Sequence, residues 1–154
     1  MKTLYIDMDN VLVDFRYAFP KISKEILETY KDDKNDIPGI FSLMAPMQGA
    51  IASIAFLSKH FEIYILSTAP WNNPSAWTDK LLWIKQHLPE IAYKRLILTH
   101  HKNLNMGDYL IDDRTKNGVD QFTGEHLHFG DNGIYKTWEE VVAYLKEKEG
   151  LIRD

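Results

Sequence analysis

The sequence predicts an α/β domain built on a mainly parallel sheet, and three observations carry that reading. Short apolar runs rich in Leu, Ile, Tyr and Phe recur along the chain, each bounded by polar or turn residues. Segments of helical period lie between them, and such alternation implies βαβ units. At 154 residues the chain fits one domain of about 100–200 residues with a single sizeable core. No internal repeat or dividing linker breaks it, so residues 1–154 are read as one domain.

Five strands are expected: Thr3 to Ile6, Glu62 to Leu66, Leu96 to Leu98, Tyr109 to Ile111 and Leu127 to Phe129. Three apolar stripes at helical spacing are expected between or after them. They are Met47, Ile51, Ile54 and Leu57; Trp77, Leu81, Ile84 and Leu88; and Trp138, Val141, Val142 and Leu145. Thr137 and Glu140 at the start of the third suit a capping box. The stretch from about Lys31 to Pro46 departs from this rhythm, with a charge-dense run from Lys31 to Asp36, then Pro38-Gly39 and an apolar segment. It reads as part of a small helical insertion over about 16–46, after the first strand. Insertions over the carboxyl end of a strand often act as lids.

Composition excludes several classes. The chain has no Cys, which removes disulfides, thiolate zinc sites and iron–sulfur clusters and leaves oxygen-ligated metals open. Lys plus Arg number 18 against 22 Asp plus Glu, a net charge of −4, so no basic excess exists to neutralise a run of nucleic-acid phosphates. No apolar stretch approaches the ~20 residues that span a bilayer, and the N-terminus carries no apolar signal region. A soluble cytoplasmic protein without a membrane partner is expected.

In open parallel sheets, ligands bind beyond the carboxyl ends of the strands. Asp7 and Asp9, Ser67 and Thr68, His100 to Lys102, and Asp112 and Asp113 occupy those positions. Two carboxylates at i and i+2 after a strand can share a divalent cation or divide nucleophile and acid roles, or else simply form a polar turn. Adjacent carboxylates repel unless a cation sits close by, which makes metal binding the economical reading of Asp112-Asp113, an exposed turn with a local Asp–Arg pair being the alternative. His126 and His128 share a face of a strand but lack a carboxylate or Cys partner at useful spacing, so they read as ordinary strand histidines.

This set resembles the haloacid dehalogenase (HAD) superfamily of phosphohydrolases. Its first motif stands here as Ile6-Asp7-Met8-Asp9-Asn10-Val11, its second as Ile65-Leu66-Ser67-Thr68, its motif lysine as Lys102 and its fourth as Leu110-Ile111-Asp112-Asp113. Within the superfamily, Asp7 to Phe15, Ser67-Thr68-Ala69-Pro70 and Leu98 to Lys102 resemble the 5'(3')-deoxyribonucleotidases. The chain departs from them at Asn10, where Gly is usual, at Asn72, where some have Lys, and at His100-His101, where Arg-Asp is usual. The resemblance implies a HAD-like Rossmannoid three-layer sandwich, with a mainly parallel five-stranded sheet and a small cap insertion after strand 1.

The resemblance also implies a mechanism. Asp7 would attack phosphorus to give an aspartyl-phosphate, and Asp9 would serve as acid and then base. Mg²⁺ would be held by the Asp7 carboxylate, the Asp9 main-chain carbonyl and Asp113, with Asp112 in support. Thr68, the Ala69 N–H and Lys102 would bind the phosphate. Phe15 resembles the aromatic that stacks on the base; Phe41 is a candidate second wall and Lys80 a candidate near the phosphate. Core packing for the two rings and an exposed helix lysine for Lys80 are the alternatives. The expected substrate is a nucleoside monophosphate, most of all a deoxyribonucleotide. Another small ester such as a phosphosugar, or a catalytically silent binding protein, are the alternatives. No stable nucleic-acid partner is expected, and the oligomeric state is open, a homodimer included.

Overall fold

A computed structural model describes residues 1–152 of the chain. Its first strand is β1 (Lys2–Ile6), followed by two short strands, β2 (Val13–Asp14) and β3 (Ala45–Pro46). Then come β4 (Phe61–Ser67), β5 (Leu96–Leu98), β6 (Tyr109–Asp112) and β7 (Glu125–His128). The five longer strands form one parallel sheet in the order β5-β4-β1-β6-β7. The chain therefore moves outward from β1 to one edge and then crosses to the other, so the strand order reverses beside β1. An open parallel sheet leaves its ligand crevice at that reversal, outside the carboxyl ends of the strands. Here β1 and β6 end in Asp7 and in Asp112-Asp113.

Strands buried on both faces read as continuous apolar runs, and β1 is buried at Leu4, Tyr5 and Ile6. Leu4, Ile6, Ile63 and Ile65 face one large core shared with Ile54, Ile84 and Leu145 of the helices. Tyr5, Leu66 and Leu110 face a smaller core covered by Val119 and Phe122. The helices are α1 (Lys24–Thr29), α2 (Ala50–Leu57), α3 (Pro74–His87) and α4 (Trp138–Glu149).

The helices follow local chemistry. Gly49 holds a left-handed φ of +80° immediately before α2, a conformation that costs glycine little, so Met47 falls outside the helix. α4 opens with the expected capping box: the Glu140 N–H donates to Thr137 Oγ1 while the Glu140 carboxylate accepts the Thr137 N–H. The Trp138 indole donates to the Val11 carbonyl at 2.8 Å, so α4 pins the loop that follows β1.

Two expectations are corrected. β7 begins at Glu125 rather than Leu127, because its main chain pairs with β6 from Tyr109↔Glu125 onward whatever the polarity of His126. The α3 stripe is rotated in part: Ile84 and Leu88 are buried and Trp77 packs against the core, as expected, but Leu81 is 41% exposed while Ala76, Lys80 and Trp83 are buried. A charge turned inward accounts for the rotation, since the Lys80 ammonium has oxygen partners in Asp9 and the buried Ser67.

Between β1 and α2 the chain makes an excursion closed at its base by the antiparallel pair β2 and β3. It carries α1 and short turns of 3-10 helix at Phe15–Tyr17, Phe19–Lys21, Lys34–Asp36 and Ile40–Leu43. Ile37, Ile40, Phe41 and Met44 are buried in the main core, so this segment is packed down rather than detached. The Trp83 indole of α3 donates to the Met44 carbonyl at 2.9 Å and fixes its far end. Among the described residues, no helix is long and apolar enough to cross a membrane.

Candidate active site

Parallel pairing of Ile6 with Ile111 brings the residues that follow them side by side. The Asp7 N–H donates to the Ile111 carbonyl at 2.9 Å, which carries the pairing one residue further. Carboxylate oxygens of Asp7, Asp112 and Asp113 consequently lie within 4.8 Å of one another. The turn after β5 delivers Lys102 to the same place. Its Nζ donates to Asp7 Oδ1 at 3.0 Å and to Asp112 Oδ2 at 2.6 Å. Asp112 Oδ1 also accepts the Arg114 N–H at 3.0 Å. His126 and His128 donate to the Asp112 and Asp113 carbonyls at 2.9 and 3.0 Å, so these strand histidines brace the acidic turn from β7.

Asp9 stands apart from this trio because its carboxylate turns toward α3. Lys80, fully buried, donates to Asp9 Oδ1 at 3.1 Å and to Ser67 Oγ at 2.6 Å. Asn10 adopts φ +59°, a left-handed conformation that Asn tolerates better than most residues. This accounts for Asn at a position where glycine is usual in the resembling enzymes.

Three carboxylates against one ammonium leave excess negative charge in a dry place. Burial, and then the charge on Asp7, push the Asp113 carboxyl up to about 8. The same two causes raise Asp112 to about 7, with Lys102 pulling the other way. Burial works against the Lys102 charge, yet Asp7 and Asp112 outweigh it and hold its pKa above the ordinary lysine value. Burial also raises Asp9, partly countered by Lys80. An all-oxygen donor set with unneutralised charge fits a hard divalent cation.

These side chains line a cavity of about 180 Å³. Asp7, Asp9, Asp112, Asp113, Lys102 and Thr68 form one wall; Asp33, Asn35 and Asp36 from the excursion form another, and Arg114 and Lys116 stand at its rim. Asn73, 1% exposed, ties the two walls together. Its Nδ2 donates to the Asn35 and Ile37 carbonyls at 2.8 and 3.0 Å, and its Oδ1 accepts from Ser75 Oγ, which accepts the Gly39 N–H. The charge run of 31–36 gave no sign that Asp33 and Asp36 would face the cavity. Nothing local marked Asn73 either, because its partners are main-chain carbonyls distant in sequence.

Other expected site residues are placed differently. Thr68 lines the cavity, but its hydroxyl donates to the Thr99 carbonyl at 2.7 Å. Ala69 is fully buried. Phe15 and Phe41, expected as walls for a base, are 8% and 2% exposed and meet edge to face at 5.8 Å. They line no part of the cavity: Phe41 lies in the Ile40–Leu43 turn that folds onto α3, and Phe15 packs between Phe19 and Phe41. Lys80, expected beside the phosphate, lies beneath Asp9 instead. His100 contacts Trp71 and Trp77, and neither it nor His101 reaches the cavity.

The family model described as "5' nucleotidase, deoxy (Pyrimidine), cytosolic type C protein" matches residues 30–152. The chain belongs to this family. Such a nucleotidase is a phosphoric monoester hydrolase. A protein named as a 5'(3')-deoxyribonucleotidase in Vibrio phage KVP40 is 56% identical over 142 residues, covering 92% of this chain and 83% of the relative. One of the same name from Bordetella bronchiseptica is 32% identical over 136 residues, covering 72% of this chain and 73% of the relative. Among solved structures, a HAD-superfamily hydrolase of subfamily IA from Geobacter sulfurreducens superposes with a TM-score of 0.57 at 9% identity. It covers 94% of this nucleotidase and 96% of its own chain. That likeness establishes the HAD fold.

Proposed function

We propose that the protein is a Mg²⁺-dependent phosphomonoesterase that dephosphorylates nucleoside monophosphates, 5'(3')-deoxyribonucleotides in particular, through an aspartyl-phosphate. The observation that carries this reading is the convergence of Asp7, Asp112 and Asp113 within 4.8 Å, with Lys102 bridging two of them. The substrate class rests on the name of the 56% identical relative. A cytoplasmic location is part of the reading, supported by the cytosolic type of the family. The segment over about 16–46 is read as a cap on a single domain, since Asp33, Asn35 and Asp36 wall the cavity.

Asp7, Asp113 and the Asp9 main chain would hold Mg²⁺, with Asp112 in support; when bound, the ion offsets their charge and polarises the phosphoryl group. The remaining chemistry belongs to the side chains. An Asp7 oxygen bonds to phosphorus while the bond to the leaving oxygen breaks. The electron pair goes to that oxygen, which takes a proton from Asp9. Burial raises the proton affinity of Asp9, as a donor at neutral pH requires. Water then gives a proton to Asp9 and its oxygen attacks phosphorus, and the electron pair of the breaking bond returns to Asp7. Lys102, the Ala69 N–H and a Thr68 hydroxyl released from the Thr99 carbonyl would offset the charge that gathers on the phosphoryl oxygens along this path.

The burial of Phe15 and Phe41 favours one second reading, a smaller ester such as a phosphosugar, because neither ring face is free to stack on a base. A panel of deoxy- and ribonucleoside 5'- and 3'-monophosphates, sugar phosphates and an aryl phosphate decides between them. The proposal predicts the highest kcat/KM on deoxyribonucleotides and no release in EDTA. Equal turnover of sugar phosphates supports the second reading, and absence of release from every ester overturns both.

A further inference from the structure

Lys80 is a site expectation whose position asks for a different role. It is fully buried, lies outside the cavity lining, and surrounds its ammonium with the Asp9 carboxylate, the Ser67 hydroxyl and the face of Phe41, 4.5 Å from the ring centre. We infer that Lys80 is a positioning residue that fixes the Asp9 carboxylate for proton transfer to the leaving oxygen, and that Phe41 of the excursion closes off the ammonium beneath it. This rests on the proposed phosphomonoesterase reading.

Geometry and energetics both support it. A phosphate oxygen on Lys80 would have to displace Asp9, whose carboxylate lies 3.1 Å from Nζ, so direct substrate binding is disfavoured. Asp9 follows β1 on a turning loop and its side chain is 23% exposed, so its rotamer needs an anchor; Ser67, fully buried at the end of β4, fixes the other side of that anchor. A buried ion pair also adds little stability over an apolar pair of similar volume, whereas it does set orientation. Phe41 offers the negative face of its ring to the cation where water would otherwise solvate it. The ring expected to stack on a base thus serves the acid and base group instead.

Leaving-group dependence separates this role from a merely structural one. A nucleoside leaves as an alkoxide that needs the Asp9 proton, whereas p-nitrophenol departs as its anion. Wild type, Asp7→Asn, Lys80→Met, Lys80→Arg and Phe41→Leu are assayed on a deoxynucleoside 5'-monophosphate and on p-nitrophenyl phosphate. Lys80→Met is expected to lose about 100-fold in kcat/KM on the nucleotide and under about 5-fold on the aryl ester, because kcat/KM reports the step that expels the leaving group, whereas kcat also contains the hydrolysis of the aspartyl-phosphate that both esters share. Lys80→Arg recovers part of the loss, and Phe41→Leu shifts the same ratio by about 10-fold without raising the nucleotide KM. Phe41→Leu keeps the ion pair, so it carries the test if Lys80→Met does not fold. Equal losses in kcat/KM on both esters, no loss, or an effect confined to the nucleotide KM would overturn the inference. Wild type without Asp7-dependent release would instead sink the phosphomonoesterase reading itself.

Discussion

The ammonium nitrogen of Lys102 lies 3.0 Å from Oδ1 of Asp7, with side-chain exposures of 4% and 8%. The same nitrogen reaches Asp112 at 2.6 Å, so one buried cation holds two carboxylates that would otherwise repel. Lys102→Met should therefore cost about 3 kcal/mol in urea unfolding, the penalty of leaving buried carboxylates unpaired. Excess Mg²⁺ should recover part of that stability while phosphate release stays at least ~100-fold down. A variant as stable and active as wild type would show that the pair is incidental.

The acidic trio predicts how stability depends on pH without metal. Asp112 and Asp113 are raised from 3.8 to about 7 and about 8, first by burial and then by Asp7. Between those values the folded chain binds more protons than the unfolded one, so stability falls as pH rises. Thermal melts in EDTA should give a lower Tm at pH 8.5 than at pH 5.5, and the stabilisation by Mg²⁺ should grow over the same range. A Tm in EDTA that rises with pH would contradict the placement of these carboxyls.

Asn73 makes the cap wall and the loop after β4 one unit, and its side-chain amide is the donor. Asn73→Ala should destabilise the protein by about 1–3 kcal/mol, since two carbonyls lose a buried partner. It should also raise the substrate KM more than it lowers kcat. Asn73→Asp, of the same shape but unable to donate, should do at least as much harm. Steady-state kinetics beside urea unfolding check both effects.

Thr137→Ala removes the cap of α4, away from the cavity. About 1 kcal/mol of stability should be lost, with phosphate release per folded molecule unchanged.

The legible parts of the sequence were those with local causes. Asp7 and Asp112 stood out because strands buried on both faces read as apolar runs, and the first polar residue after each marks its carboxyl end. Thr137 and Glu140 stood out because a capping box lies within one turn of chain. Lys80 was opaque because a lysine on an amphipathic helix normally faces water; only the distant Asp9 and Ser67 turn it inward, and with it the phase of α3. Phe15 and Phe41 carry the same ambiguity, since an aromatic beside a site and one in the core look alike in sequence. The Asn73 contacts join residues 36 and 38 apart through main-chain carbonyls, which leave no trace in side-chain pattern.

The central claim is that Asp7 attacks phosphorus with a divalent cation held beside it. Its most direct measurement is phosphate release from a deoxynucleoside monophosphate by wild type and Asp7→Asn, each in EDTA and in Mg²⁺, with unfolding curves for both proteins. The account predicts release by wild type in Mg²⁺ alone and none by a folded Asp7→Asn. Release by Asp7→Asn at a rate near that of wild type would contradict it.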